Sequence, residues 1–464
     1  MTPTVIFRRA LAATAVALLA GCATLLPSIQ PTAYVVMGEG GAAVVRVLTI
    51  ADSCPAISFD GRSQPMAVRA ARAPIPERAP RKDGLQPQSV PVLSCEAAVP
   101  DGARQALVAN IALPLPKAEV KRIVVIGDTG CRLKGNEVQD CNRLESFPFA
   151  MVASAAVAWR PDLVVHVGDY HYREDPCSAG RWGCAFSPFG YGWDAWNADF
   201  FAPGRALLQA APWVMARGNH ENCARAGQGY WRFLDPRPLL PGRDCNAPAN
   251  DATGDYSAPY AVPLGAGAQL IVFDTANTNY KGFKPGDPRL SIYADNYRKI
   301  AALAQGASYN IAVDHHPLFA FGASQDKKTG AISLFGGDFG LLQSFGAEDT
   351  GILPPSISML LSGHVHLWEQ VSFSSNHPTQ FVSGFSGTAE DIVPLPERAP
   401  PSQEPAPGAV VEHMSSWIDG FGFMTMERLG ADKWEVKVWD REGRERNSCQ
   451  VAGRKSVCAL AQVK

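Results

Sequence analysis

The chain carries no excess of basic residues: 42 lysines and arginines stand against 44 acids, for a net charge of −2 at pH 7. Nucleic-acid or polyanion binding through a charged face therefore has no support. No stretch after residue 22 is apolar for long enough to span a bilayer. The eleven cysteines contain no Cys-x-x-Cys pair, which argues against a cysteine-ligated metal. No internal repeat is evident. What is present is a globular composition, 46% apolar and 19% charged, in 464 residues, enough for a sizeable core and for two or three domains.

The first residues read as a targeting segment. Arg8 and Arg9 form the charged start, residues 10–20 the apolar run, and Leu19-Ala20-Gly21-Cys22 closes it with small residues. A cysteine directly after that site resembles the lipobox of bacterial lipoproteins. The resemblance implies cleavage after residue 21, acylation of Cys22, and anchorage to a bacterial membrane, the outer one by preference, facing the periplasm. The other ten cysteines are even in number, as expected of an exported, oxidised protein. Ten cysteines allow roughly nine hundred pairings. Sequence-local pairing is expected because it closes short loops: Cys54 with Cys95, Cys131 with Cys141, Cys177 with Cys184, Cys223 with Cys245, Cys449 with Cys458.

Residues 22–120 read as a small β-rich N-terminal domain, with strands expected at 33–36, 43–50 and 104–113 and a long Pro/Arg/Ala-rich loop at 71–91. From residue 121 the texture changes. Residues 122–126, 162–167 and 213–216 are short apolar runs, separated by helical stretches at 144–159 and 195–210, a β-α-β-α-β series typical of an α/β domain. Later strands are expected at 269–273, 309–313, 358–361 and 379–382, with a helix at 294–305, a Pro-rich loop at 394–407, and a terminal hairpin of 421–427 and 434–439.

The apolar runs end in polar clusters: Gly127-Asp128-Thr129-Gly130, Gly168-Asp169-Tyr170-His171-Tyr172, Gly218-Asn219-His220-Glu221, Val313-Asp314-His315-His316 and Gly363-His364-Val365-His366. An α/β sheet presents ligand-binding side chains at such strand ends. Oxygen donors mixed with imidazoles suit first-row transition metals. With His220 set aside as a proton carrier, Asp128, Asp169, Tyr172, Asn219, His316, His364 and His366 remain, too many for one ion and about right for two. A pair of ions ~3.5–4 Å apart clamps the attacking and leaving oxygens of a displacement at phosphorus, and a carboxylate in the middle of the set is the natural bridge.

These five motifs, in this order, resemble the metallophosphoesterase (calcineurin-like) superfamily, and more narrowly its purple acid phosphatase branch, over roughly residue 121 to the C-terminus. The resemblance implies a four-layer β-sandwich flanked by helices. It implies an iron(III) site at Asp128, Asp169, Tyr172 and His366, and a second ion, zinc, manganese or iron(II), at Asp169, Asn219, His316 and His364, with Asp169 bridging. Most of the superfamily places a histidine two residues after the first aspartate; here that position is Gly130, and Tyr172 supplies the missing ligand.

The implied reaction is hydrolysis of phosphate monoesters of small molecules by attack of metal-bound hydroxide, with His220 protonating the leaving group and Glu221 a candidate to orient it. A phosphodiesterase or nucleotide pyrophosphatase uses the same centre and remains open, as does a lipid-anchored binding protein with a non-catalytic metal core. The branch's plant and animal enzymes carry further substrate-facing histidines downstream of the fourth motif; between His316 and His364 this chain has none. His171 or His315 are candidates to stand in, and Arg181, in the loop 176–193, is a candidate phosphate contact.

Overall fold

The computed structural model describes residues 31–76, 88–389, 393–397 and 403–459. The targeting segment and Cys22 lie outside the described residues, as does part of each proline-rich loop; among the described residues no helix is long and apolar enough to cross a membrane.

Two sheets face each other. At the centre of the first, Arg122–Ile126, Leu163–His166 and Trp213–Met215 run parallel, and the sheet widens to eleven strands. The second has seven, with Ala268–Val272, Tyr309–Val313, Ile357–Ser362 and Thr379–Ser383 parallel at its centre. Because a strand's side chains alternate, each strand serves two cores. Ile123 and Val125 point between the sheets, where they meet Leu270, Ile311 and Leu361. Val124 and Ile126 point outward to Phe149, Val152 and Phe200. On the far side, Ile271, Ala312 and Leu360 receive Tyr297, Ile300 and Phe345 from two helices, Pro288–Leu303 and Phe339–Gly346. The result is a helix–sheet–sheet–helix sandwich, the expected four layers.

The N-terminal β-rich segment adds its strands to this body. Thr32–Met37 pairs in parallel with Trp213–Met215, and Ala43–Thr49, Leu93–Ala98 and Ala67–Ala70 follow outward in the same sheet. Buried Arg46 reinforces the junction, donating to the Phe233 carbonyl at 2.7 Å and the Asp235 carbonyl at 3.1 Å. The strand expected at 104–113 is a tight hairpin, Ala106–Val108 and Ile111–Leu113, turned by Ala109 and Asn110 at φ 46° and 65°. The pairs Ala73–Pro74 and Ser89–Val90 close the base of the loop expected at 71–91.

Helix boundaries move for local reasons. The first helix starts at Phe149 rather than 144 because Pro148 occupies its N-cap, with ψ 16°. The stretch 195–210 is broken into Trp193–Trp196, Asn197–Phe201 and Arg205–Leu208 around Pro203-Gly204. The helix expected at 294 begins at Pro288, where the Asp287 side chain caps the Arg289 amide. All five expected disulfides form. The last, Cys449–Cys458, ties a four-stranded meander that extends the expected hairpin with Glu445–Ala452 and Lys455–Cys458.

Candidate metal centre

Five loops meet at the carboxyl ends of the central strands, three from the first sheet and two from the second. Each follows an apolar strand that cannot bend within the core, so the turn comes immediately after it. Asp128, Asp169 and His364 sit at φ 54°, 58° and 71°, a left-handed conformation that costs L-residues roughly 1–3 kcal/mol and persists where surrounding structure imposes it. Here each is imposed by a backbone donor or a close approach. The His364 amide donates to Asp128 Oδ2 at 3.0 Å, and the His220 amide to Asp169 Oδ1 at 2.8 Å. Gly218 packs so tightly against Asp169 that any Cβ there would collide with the carboxylate.

The donor atoms converge in two adjoining groups. In the first, Tyr172 Oη lies 2.8 Å from Asp128 Oδ1, 2.8 Å from Asp169 Oδ2 and 3.0 Å from His366 Nε2. In the second, His315 Nε2 lies 3.1 Å from Asp169 Oδ2 and 3.0 Å from Asn219 Oδ1, and His364 Nδ1 is 3.2 Å from the same amide oxygen. Asp169 Oδ2 belongs to both groups, the position expected of a bridge. Asp128, Asp169, Tyr172 and His315 are all essentially inaccessible to water.

This donor set fits two cations. His315 gives its Nδ1 proton to the Val167 carbonyl at 2.9 Å, which leaves its Nε2 facing two oxygens, Asp169 Oδ2 and Asn219 Oδ1. Convergent lone pairs in a buried pocket need positive charge between them. Protein groups alone supply it awkwardly. Burial and the facing Asp128 carboxylate push the Tyr172 phenol well above its ordinary range, and burial raises Asp128. Burial opposes charge on His315, but Asp169 overrides it and pushes the imidazole up to about 9. Burial opposes charge on Asp169 too, yet His315 and His220 hold it well below the carboxylate range.

The fourth motif resolves differently from the expectation. His315, not His316, faces the bridging carboxylate and Asn219. His316 places Nδ1 3.0 Å from Thr275 Oγ1 and lies tilted against His364, at a ring distance of 4.3 Å, on the wall of the adjoining pocket. It is close enough to His315 and His364 to complete a trio of imidazoles. The chain bends directly after Val313, so contacts outside the strand decide which of the two imidazoles turns to the carboxylate.

His220 reaches the site as expected, its Nε2 3.8 Å from Asp169 Oδ2. Glu221 does not orient it. That carboxylate is fully buried and accepts the amides of Asp169, Tyr170, His171 and Gly218 at 2.9–3.2 Å, pinning the bridging loop. The partner of His220 is Glu174, whose Oε1 lies 2.7 Å from His220 Nδ1 and which is itself gripped by Arg225. Sequence reasoning missed Glu174, although its place two residues beyond Tyr172 was a signal. It also missed Arg132, whose guanidinium lies 2.7 Å from His366 Nδ1 and over the Tyr172 ring. His171 turns away, its Nε2 on the Gly190 carbonyl at 2.8 Å and its ring beside Trp196. Arg181 pairs with Asp140 at 3.2 Å on the surface, among the aromatics of a disulfide-closed loop.

The structure also explains Gly130. A Cβ at that position would stand 2.8 Å from Asp199 Oδ2, the Tyr170 carbonyl and the Tyr172 amide. Asp199 occupies the space instead, accepting the amides of Cys131, Tyr172 and Arg173 and so setting the loop that brings Tyr172 inward.

A family model described as calcineurin-like phosphoesterase matches residues 121–367, more than half of the chain. No curated protein matches the sequence. Among solved structures, a purple acid phosphatase from yellow lupin (Lupinus luteus) seeds is similar in fold, with a TM-score of 0.53 and 13% identity over 91% of this chain and 74% of that one. PhoD is similar with a TM-score of 0.50 and 12% identity over 93% of this chain and 92% of that one. With the motifs, the four layers and the convergent donor set in place, the chain belongs to the calcineurin-like phosphoesterase family.

Proposed function

We propose that the protein hydrolyses phosphate monoesters at a two-cation centre, with Asp128, Asp169, Tyr172 and His366 holding iron(III), and Asp169, Asn219, His315 and His364 holding zinc, manganese or iron(II). His315 takes the place expected for His316. The observation that carries this reading is the buried Tyr172 hydroxyl, within 3.0 Å of two carboxylates and an imidazole. Bound cations supply Lewis acidity to the phosphoryl oxygens and lower the pKa of water.

The protein's own groups do the rest. Asp169, held by the His220 amide and the Glu221 cage, keeps the two halves of the site in register. Glu174 sits against His220 Nδ1 and leaves Nε2 toward the site; burial lowers the imidazole to about 4, so Nε2 carries a proton for the departing alkoxide under acid conditions. Arg132, on the His366 side, adds a cation where a dianionic monoester carries charge that a diester lacks. His316, on the pocket wall, serves as the substrate-facing histidine missing from the sequence downstream.

Rates on p-nitrophenyl phosphate and bis(p-nitrophenyl) phosphate decide between ester classes. The monoester is expected to react at least about tenfold faster in kcat/KM, a difference of about 1.4 kcal/mol. Faster hydrolysis of the diester overturns the monoesterase assignment in favour of a phosphodiesterase or pyrophosphatase. No turnover of either by the cation-loaded protein leaves the lipid-anchored binding protein.

A further inference from the structure

Beside the second cation group opens a pocket of about 860 Å³, with Asn219, His316 and His364 at its inner end. Nothing in the phosphoryl chemistry requires it. Its walls are aromatic: Phe321, Phe335, Phe339 and Tyr280, the last three half to two-thirds exposed to solvent. Exposed aromatics gathered around one opening, rather than scattered singly, mark a binding surface.

Two features make the pocket more specific than a greasy patch. Phe335 lies at the end of the hairpin Gly322–Gln325 and Ile332–Phe335, directly across from Gly322. Its ring occupies the space where a Cβ of residue 322 would be. The missing side chain lets the ring pack against the backbone of residue 322 as a shelf. Asp338 and Asn222 also line the pocket, and each has an oxygen, Asp338 Oδ2 and Asn222 Oδ1, that is buried without a hydrogen-bond partner among the described residues. Asp338 is 6% exposed; its other oxygen is used, capping the Leu341 amide at 2.9 Å and accepting from Thr278 at 2.7 Å. An unpaired buried acceptor costs free energy until a donor arrives. A hydrocarbon chain would fit the walls and leave both oxygens bare.

We infer that this pocket binds the organic half of the substrate, and that this half is a planar aromatic ring bearing an N–H donor, stacked on Phe335 with its donor directed to Asp338. The inference rests on the phosphoesterase reading, since it is the cation centre that fixes the phosphoryl end. Burial pushes the Asp338 carboxyl above the ordinary range, and a donor there offsets that by stabilising its charged form.

Non-hydrolysable phosphonates separate binding from leaving-group chemistry. Calorimetric titration of the as-purified, cation-containing full chain with methyl-, benzyl- and 4-aminobenzylphosphonate is the test. Benzylphosphonate is expected to bind about tenfold more tightly than methylphosphonate through ring stacking and burial. The 4-amino group is expected to add about another tenfold through the carboxylate. Phe335→Ala should abolish the ring's advantage while leaving methylphosphonate affinity intact. Gly322→Ala, which displaces the shelf without removing an aromatic, should do the same. Asp338→Asn keeps an oxygen for the helix cap but turns the free acceptor into a donor, and should cancel the amino effect alone. Equal affinity for methyl- and benzylphosphonate overturns the inference and leaves the phosphoesterase reading standing. Equal affinity for the benzyl and aminobenzyl probes overturns the assignment to Asp338. Failure of all three to bind, with no ester hydrolysed, sinks the phosphoesterase reading and this inference with it.

Discussion

Removing one oxygen atom tests the metal centre most directly. Tyr172→Phe deletes the hydroxyl that stands 2.8 Å from Asp128 Oδ1, 2.8 Å from Asp169 Oδ2 and 3.0 Å from His366 Nε2, and changes little else, because the ring is packed against His220 at 3.8 Å. In the cation-free protein the hydroxyl proton lies between two buried carboxylates. Its loss takes one donor from that pair, leaving the His364 amide on Asp128 and the His220 amide on Asp169, and should cost about 1–3 kcal/mol of stability. In the loaded protein the loss is larger. Groups that only orient a ligand change metal affinity about 10–100-fold, so deleting a ligand itself should weaken retention of the first ion by more than about a hundredfold. The assay is metal analysis with a visible spectrum. Wild-type protein containing iron should absorb in the green-yellow region through tyrosinate on iron(III), and the variant should lose that band together with one ion. A Tyr172→Phe protein that keeps both the band and its full metal content refutes the ligand assignment, leaving only a generic dimetal hydrolase.

Three further outcomes are expected. Gly130→His, which restores the superfamily's common ligand, should fail to fold or lose more than about 3 kcal/mol, since even its Cβ meets three atoms at 2.8 Å; a well-folded variant, judged by circular dichroism and its melting curve, would show that the Asp199 cradle is not rigid. Glu369 is fully buried on Trp368–Phe373 and accepts the Phe321 amide at 3.1 Å; burial raises its carboxyl well above 4.5. The folded state therefore holds a proton that the unfolded state releases, and stability falls as pH rises above 4.5, by about 1.4 kcal/mol per unit until the folded group ionises. Glu369→Gln should remove that slope, so its advantage in melting temperature should be absent near pH 4 and grow toward pH 8; parallel profiles for the two proteins contradict the assignment. Cys22→Ser should move the full-length protein from the membrane to the soluble fraction of the host cell, and a variant that stays membrane-bound places the anchor elsewhere.

Much of the centre was legible because its logic is local. An apolar run, a glycine and then a carboxylate, amide or imidazole appear contiguously in the chain, and a strand that ends in a turn has one place to present them. The layers were legible for the same reason: in Arg122–Ile126 nearly every residue is apolar, and a strand so composed must be covered on both faces. What was not legible depends on residues far apart. Thr32–Met37 beside Trp213–Met215 is a parallel pairing across some 180 residues of chain, and no local pattern declares it. Arg132 on His366 is likewise a contact between distant loops.

The exchange of His315 and His316 shows where motif reasoning stops being geometry. The two are adjacent and chemically identical, and the chain leaves Tyr309–Val313 in a turn rather than an extended strand, so alternation cannot be carried through from Val313. The choice is made elsewhere. Thr275, from the loop after Ala268–Val272, offers its hydroxyl to His316 Nδ1 at 3.0 Å and lies 3.3 Å from the amides of both histidines. The Val167 carbonyl, from the other sheet, takes the His315 Nδ1 proton at 2.9 Å, and only because Gly168, at φ 102°, has no Cβ to block that ring. Two residues from opposite sheets thus sort one histidine to the cations and its neighbour to the pocket. Thr275→Val tests this division: freeing the His316 ring should disturb substrate affinity more than metal content, whereas loss of an ion would return His316 to the ligand set.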